Sequence, residues 1–182
     1  MKFRETPIAG MILIEPQVFG DARGFFTETW HALKFKEAGI EADFVQDNHS
    51  RSSQWTLRGM HMQVEHTQGK LVRVTSGAVF DAVVDLRRGS PSFGRWWGAE
   101  LSDANHFMLW VPAGLAHGML VLSESADFLY KCTDFYSPQH ERTLAWDDPT
   151  LNIRWPLATG VAPKLSPKDA RGASFAEIEK FA

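Results

Sequence analysis

Leu57-Arg58-Gly59-Met60-His61-Met62-Gln63, followed after a loop by Gly69-Lys70-Leu71-Val72-Arg73-Val74, is the stretch from which the rest of the chain can be read. Gln46-Asp47-Asn48-His49-Ser50 precedes it across a short turn. Amides, guanidinium groups, imidazole and ammonium are interleaved here with apolar residues in short runs of strand character. Side chains alternate along a strand, so Arg58 and His61 fall on opposite faces of an ideal one. A bulge or twist at Gly59 brings both toward one cavity. A surface strand has little use for so many long polar groups among methionines, whereas a lined pocket has.

Working outward, the chain from Phe44 to Trp146 is a succession of short strand-like runs. Val79 to Leu86 and Leu120 to Leu122 are nearly continuous apolar runs, as in strands buried on both faces. Gly69, Gly77, Gly89, Gly94, Gly98, Pro112 and Gly114 punctuate the series. Many short strands with regular turn signals predict a mainly β protein, a sandwich or jelly-roll barrel. Ile8, Met11, Ile12, Leu13 and Ile14 around Gly10 predict a first strand. Asp21-Ala22-Arg23-Gly24 predicts a turn, and Phe25 to Trp30 a further strand. Residues 31–38 predict a short helix stopped by Gly39. Ser174 and Glu177 have capping-box spacing, which predicts a short helix ending about Phe181.

Composition narrows the function classes. The 182 residues are 44% hydrophobic and 23% charged, as in one globular domain spanning 1–182. A net charge of −3 argues against a nucleic-acid partner, so an anionic ligand needs a local basic cluster. No apolar run reaches the ~18 residues of a membrane span, and no signal-type segment opens the chain. The single cysteine, Cys132, lies in an apolar run and reads as a small core residue of a cytoplasmic protein.

Among seven histidines, His61 stands out because it lies between Arg58 and Lys70. Two tyrosines against thirteen phenylalanines imply that a tyrosine is placed for its hydroxyl. Tyr130, in Phe128-Leu129-Tyr130-Lys131-Cys132, reads as a strand residue that is either a core tyrosine with a satisfied hydroxyl or a functional one. Arg73, Arg87 and Arg88 read as surface ion-pairing residues. Pro112-x-Gly114-x-x-His117 looks like half of a metal-binding signature, whose other half wants a His-x-His pair. Gln63 stands where the second histidine would be, and glutamine is a poor ligand for transition metals, so no metal is expected.

Several segments, in order along the chain, resemble the dTDP-4-dehydrorhamnose 3,5-epimerase family. They are Asp21-Ala22-Arg23-Gly24-Phe25-Phe26, Gln46 to Ser50, Leu57 to His61, Gln68 to Arg73, Phe80 to Arg87, Pro112 to Gly118, Tyr130 to Asp134 and Leu165-Ser166-Pro167-Lys168-Asp169. The resemblance implies a cupin-type jelly roll, with an N-terminal arm that pairs with a second subunit in a homodimer. It implies a cofactor-independent epimerase acting on a dTDP-sugar. The implied reaction inverts C3 and C5 of dTDP-4-dehydro-6-deoxy-glucose, with C3-only epimerisation or a silent sugar-binding jelly roll as alternatives. By resemblance His61 is the base, Asp169 its carboxylate partner, Tyr130 the acid and Lys70 the donor at the ketone oxygen. Arg23, Arg58 and Lys168 are implied to meet the pyrophosphate. Glu28, Gln46, Asn48, Glu141 and His117 join them in the substrate site, and Phe26 and Tyr136 are placed to stack on the base. Met62 and the loop 64–67 flank the base where this chain departs from the family's usual residues, so they are expected to bear on sugar orientation.

Overall fold

A computed structural model describes residues 1–182. In chain order it contains β1 (Lys2–Glu5), β2 (Ile12–Glu15), β3 (Val18–Asp21), β4 (Gly24–Thr27), α1 (Ala32–Glu37), β5 (Gln46–Ser53), β6 (Leu57–Gln63), β7 (Lys70–Ser76) and β8 (Ala78–Asp85). β9 (Trp96–Ser102), β10 (Met108–Val111), β11 (Leu115–Val121), β12 (Ser125–Cys132) and β13 (Glu141–Thr143) follow. One sheet runs β1-β2-β10-β7-β12-β5 and the other β13-β6-β11-β8-β9, with every pairing antiparallel. Two antiparallel sheets face to face form the predicted jelly-roll sandwich.

The sheets share one apolar layer. Val72, Val74, Leu109 and Phe128 from the first meet Val79, Val83, Leu101 and Met119 from the second. β8 explains its own apolar run, because its other face is covered too. There Ala82 and Val84 pack with Met60, Met62, Leu144, Leu151 and Ile178. That cover is the C-terminal segment, which crosses the outer face of the second sheet largely without regular structure. Parallel bridges Thr56–Lys164, Leu144–Ala173 and Arg87–Phe181 fix it in place. On the outer face of the first sheet α1 buries Phe35 against Ile14, Leu71 and Met108. Gly39, at φ +82°, takes the left-handed conformation that ends the helix.

Three expectations are corrected. Residues 1–14 form two paired strands, because Gly10 at φ +75° turns the chain back and Phe3 lies opposite Ile14. No helix follows Ser174. Its hydroxyl does reach Glu177 at 2.7 Å, but the chain then extends so that Phe181 can bridge Arg87, and that tertiary pairing overrides the cap. Arg87 is no surface ion-pairing residue. It binds Asp85, which is 0% exposed, and also donates to the Ala9 carbonyl, tying the β8 end to the turn before β2.

β3 and β4 form a hairpin joined to neither sheet. The predicted turn at Asp21–Gly24 is its tip. Phe19, Phe25 and Phe26 are 57%, 62% and 69% exposed. A two-stranded ribbon with bare aromatic rings is marginal in water by itself.

Candidate active site

Between the sheets lies a cavity of about 400 Å³. Its two walls come from different sheets. Gln46 and Asn48 on β5, Lys70 on β7 and Tyr130 on β12 form one, and Arg58 and His61 on β6 with His117 on β11 the other. Tyr136, Glu141, Lys168 and Asp169 complete the lining.

Arg58 and His61 share a wall because of an irregularity in β6. His117 pairs with His61 and Met119 with Arg58, so Gly59 and Met60 together stand opposite Gly118 alone. One extra residue shifts the alternation by one, and side chains three apart then point the same way. Glycine is required on both sides of this contact. A Cβ on Gly59 would lie 2.5 Å from the Gly118 Cα, and a Cβ on Gly118 2.8 Å from the Arg58 carbonyl oxygen. The bulge expected at Gly59 is therefore present, and it turns two cationic or basic groups into one site. Met60 and Met62 take the other face, in the outer apolar cluster, although Met62 also reaches the cavity wall.

His61 Nε2 donates to Asp169 Oδ1 at 2.6 Å. Asp169 stands 108 residues away in sequence, on a 3-10 turn of the C-terminal segment. Burial alone would raise its pKa. Hydrogen bonds from His61 and from Ser166 Oγ (2.7 Å), with a backbone contribution from Gly59, outweigh burial and hold the carboxyl below its ordinary range. An ionised carboxylate orients the ring and stabilises an imidazolium once the other nitrogen takes a proton. That nitrogen, Nδ1, makes no protein hydrogen bond. His31 Nδ1 is the one buried side-chain polar atom without a partner, so His61 Nδ1 is open to the cavity that the ring lines.

Across the cavity, the Tyr130 hydroxyl makes no protein hydrogen bond, so the satisfied-core reading does not hold. Burial raises its pKa, Cys132 adds to the rise and Arg58 opposes it, leaving a phenol that keeps its proton at neutral pH. The Lys70 ammonium is pushed the other way. Burial lowers its pKa, and the carboxylates Glu141 and Asp81 oppose this only at Coulombic range. An ammonium without a hydrogen-bonded partner is a donor free for a ligand.

Arg58 Nε donates to Ser52 Oγ at 2.9 Å, which steadies one edge of the guanidinium. Glu141 accepts from Lys168 Nζ (2.9 Å) and from the Tyr136 hydroxyl (3.0 Å) on the same oxygen. Burial raises the pKa of Glu141, but Lys168 and nearby His61 carry it below its ordinary range. Gln46 Nε2 donates to Asn48 Oδ1 at 3.1 Å, and its Oε1 accepts the Tyr136 amide. The Gln63 side chain is spent on backbone groups, donating to His66 and Phe135 carbonyls and accepting the Ser137 amide. It is not poised as a ligand. His66, on the loop after β6, faces Asp134 at 3.4 Å.

Arg23, Phe26 and Glu28 stand apart from this cavity in the single chain. Arg23 binds Asp21 on the exposed hairpin tip, Phe26 is bare, and Glu28 binds Lys34 at 2.7 Å. Two further site residues were not anticipated. Ser166 holds Asp169 through both its hydroxyl and the Asp169 amide. Asp81, 0% exposed, lies behind His117 with both oxygens 2.9 Å from Nε2. An acid in the middle of the apolar run from Val79 was its signal in the sequence.

The family described as dTDP-4-dehydrorhamnose 3,5-epimerase matches residues 5–177. A dTDP-4-dehydrorhamnose 3,5-epimerase of Pseudomonas aeruginosa is 56% identical over 182 residues, covering 100% of this chain and 99% of the relative. The crystal structure of a dTDP-6-deoxy-D-glucose-3,5-epimerase from Legionella pneumophila, in complex with dTDP-4-keto-L-rhamnose, superposes with a TM-score of 0.93. That protein is 49% identical, and the match covers 98% of this chain and 94% of the other. A dTDP-4-dehydrorhamnose 3,5-epimerase structure from Elizabethkingia anophelis matches with a TM-score of 0.91 at 44% identity, covering 97% of each chain. This chain belongs to the dTDP-4-dehydrorhamnose 3,5-epimerase family.

Proposed function

We propose that this chain inverts C3 and C5 of dTDP-4-dehydro-6-deoxy-glucose, giving dTDP-4-dehydrorhamnose. The observation that carries the reading is that His61 and Tyr130 face one cavity from opposite sheets. A flat ring held between them meets a base on one side and an acid on the other. Inversion needs that arrangement.

A hydrogen on a carbon next to the C4 ketone is acidic because its loss gives an enolate. His61 Nδ1 takes that proton, and Asp169 stabilises the imidazolium. The electron pair moves to the ketone oxygen, where the Lys70 ammonium meets the developing charge. The enolate carbon is planar, so Tyr130 returns a proton to its opposite face and inverts the centre. The same cycle at the second flanking carbon completes the reaction. No electrons are gained or lost overall, so these side chains suffice without a redox group. Arg58 and Lys168 hold the pyrophosphate, while Gln46, Asn48, His117, Tyr136 and Glu141 meet the sugar and nucleotide.

The N-terminal hairpin belongs to this reading as the arm of a homodimer. Its exposed Phe19 and Phe26 and its lack of any sheet partner support burial against a second copy. Arg23, Phe26 and Glu28 would then serve the partner's cavity. The domain is read as one jelly roll over 1–182. No helix is long and apolar enough to cross a membrane. A free buried Cys132 and a sugar-nucleotide substrate support a cytoplasmic site.

Incubation with dTDP-4-dehydro-6-deoxy-glucose in deuterated water, followed by NMR, tests the proposal. Deuterium at both C3 and C5 with inversion is expected. Label at C3 alone would reduce the activity to one centre, and label at neither would overturn it.

A further inference from the structure

The wall that carries the base carries a second histidine–aspartate pair. His117 stands directly opposite His61 in the β11–β6 ladder. Directly opposed residues on one face of an antiparallel pair have Cβ atoms roughly 4.5–5.5 Å apart, so what one imidazole touches lies beside the other. Both rings are built alike. Each gives Nε2 to an aspartate, Asp169 behind His61 and Asp81 behind His117. Each leaves Nδ1 without a protein partner. His117 Nδ1 is open to the cavity as His61 Nδ1 is, since His31 Nδ1 is the one buried side-chain polar atom left unpaired.

Asp81 is the unusual member. It is fully buried in β8, and His117 is the only side chain its carboxylate oxygens bond. A carboxylate in that position stays only if it is used, because burying a charge is costly unless it is paired and hydrogen-bonded. Its use follows from what its oxygens can accept. Both of its oxygens face Nε2 at 2.9 Å and carboxylate oxygens accept hydrogen bonds, so Nε2 carries the hydrogen. In the neutral ring Nδ1 is then an acceptor, aimed into the cavity beside the base.

We propose that Asp81 is a positioning residue that locks His117 in the Nε2–H tautomer, so that Nδ1 accepts a hydrogen bond from a hydroxyl of the sugar ring. The inference rests on the epimerase reading for the identity of that ring. A sugar next to His61 cannot escape His117, and a hydroxyl is the donor such a ring offers. The contact holds the ring against the base wall and fixes which face His61 meets. Asp81 thus acts on the sugar half of the ligand. The nucleotide half is left to other groups.

Two measurements test this. Nitrogen-15 NMR of the full protein, with His117 assigned through His117→Gln, should show hydrogen on Nε2 and none on Nδ1. Hydrogen on Nδ1 with none on Nε2 would overturn the proposal even if no variant folds. Asp81→Asn replaces one acceptor oxygen by a donor and so favours the opposite tautomer. Its kcat/KM should fall about tenfold or more, the worth of one hydrogen bond removed or reversed, while its affinity for dTDP alone stays within about twofold. An unchanged kcat/KM, or equal weakening toward dTDP alone and toward a dTDP-sugar, would also overturn it, because a merely structural role has no reason to spare the nucleotide. If the parent protein washes no deuterium into either carbon, the epimerase reading fails by itself. The tautomer and the difference between dTDP and dTDP-sugar affinities still judge Asp81.

Discussion

Tyr130→Phe separates the acid from the base, because it removes one oxygen and little else. The ring packs 6.0 Å from Phe128 and keeps that neighbour in the variant. The hydroxyl bonds no protein group, so its loss strands no buried partner. The stability change should therefore stay below about 1 kcal/mol, the size of one ordinary hydrogen bond. Catalysis should respond differently. A positioned acid or base contributes roughly 10²–10⁴ in rate, and inversion should fall by that factor. Proton removal should not, since His61, Asp169 and Lys70 remain. The enolate then forms and, lacking an acid on its far face, recovers a proton from His61 on the near one. In deuterated water the variant should wash label into the substrate while leaving most of it uninverted, provided His61 exchanges with solvent before returning its proton. The assay is NMR of the recovered sugar, comparing label per carbon with inversion per carbon. Burial holds the phenol protonated to above its ordinary pKa, so Tyr130 sets no limb of the parent's rate profile below about pH 10. Rapid inversion in Tyr130→Phe at near-parental rate would refute the reasoning and assign the second proton to water or another group.

Other outcomes follow from the same geometry. His61→Asn should lose ~10²–10⁴ in exchange at both carbons while dTDP affinity changes less than about tenfold; retained turnover above a tenth of parental removes His61 from the mechanism. Gly59→Ala should cost about 3 kcal/mol or more and abolish turnover, because its Cβ meets the Gly118 Cα and φ is +130°; a parental melting temperature would contradict the tight crossing. Acid stability should fall as pH drops from about 4 to 2, since Asp85 is lowered to about 2 by Arg87, Ser90 and Ser92 against its burial. Its contribution is present above the unfolded value and lost through the folded one, and an Asp85→Asn protein whose melting temperature keeps the parental slope in that window would exclude it. Light scattering should give a dimer, and deleting residues 18–27 should yield monomer with impaired turnover. A fully active monomeric parent would defeat the arm's role.

The sandwich was legible because it is written in local terms: apolar runs of strand length, glycine and proline between them, and a nearly continuous run where β8 is buried on both faces. The helix after Ser174 was misread for the same reason. Its cap is local and present, but the pairing of Phe181 with Arg87 is not local and prevails. From the residues themselves the site was legible only as a collection of types, and the pairing of His61 with Asp169 came through the family resemblance alone. Nothing near His61 points to Asp169, since their contact depends on a strap that crosses the second sheet between bridges at Lys164 and Ala173. Periodicity alone even placed Arg58 and His61 on opposite faces. What reverses that is a count of residues: two on β6 against one on β11, allowed only where Gly59 and Gly118 meet without side chains. The two glycines are therefore as much a part of the active site as the imidazole they turn inward, although neither offers it a functional group.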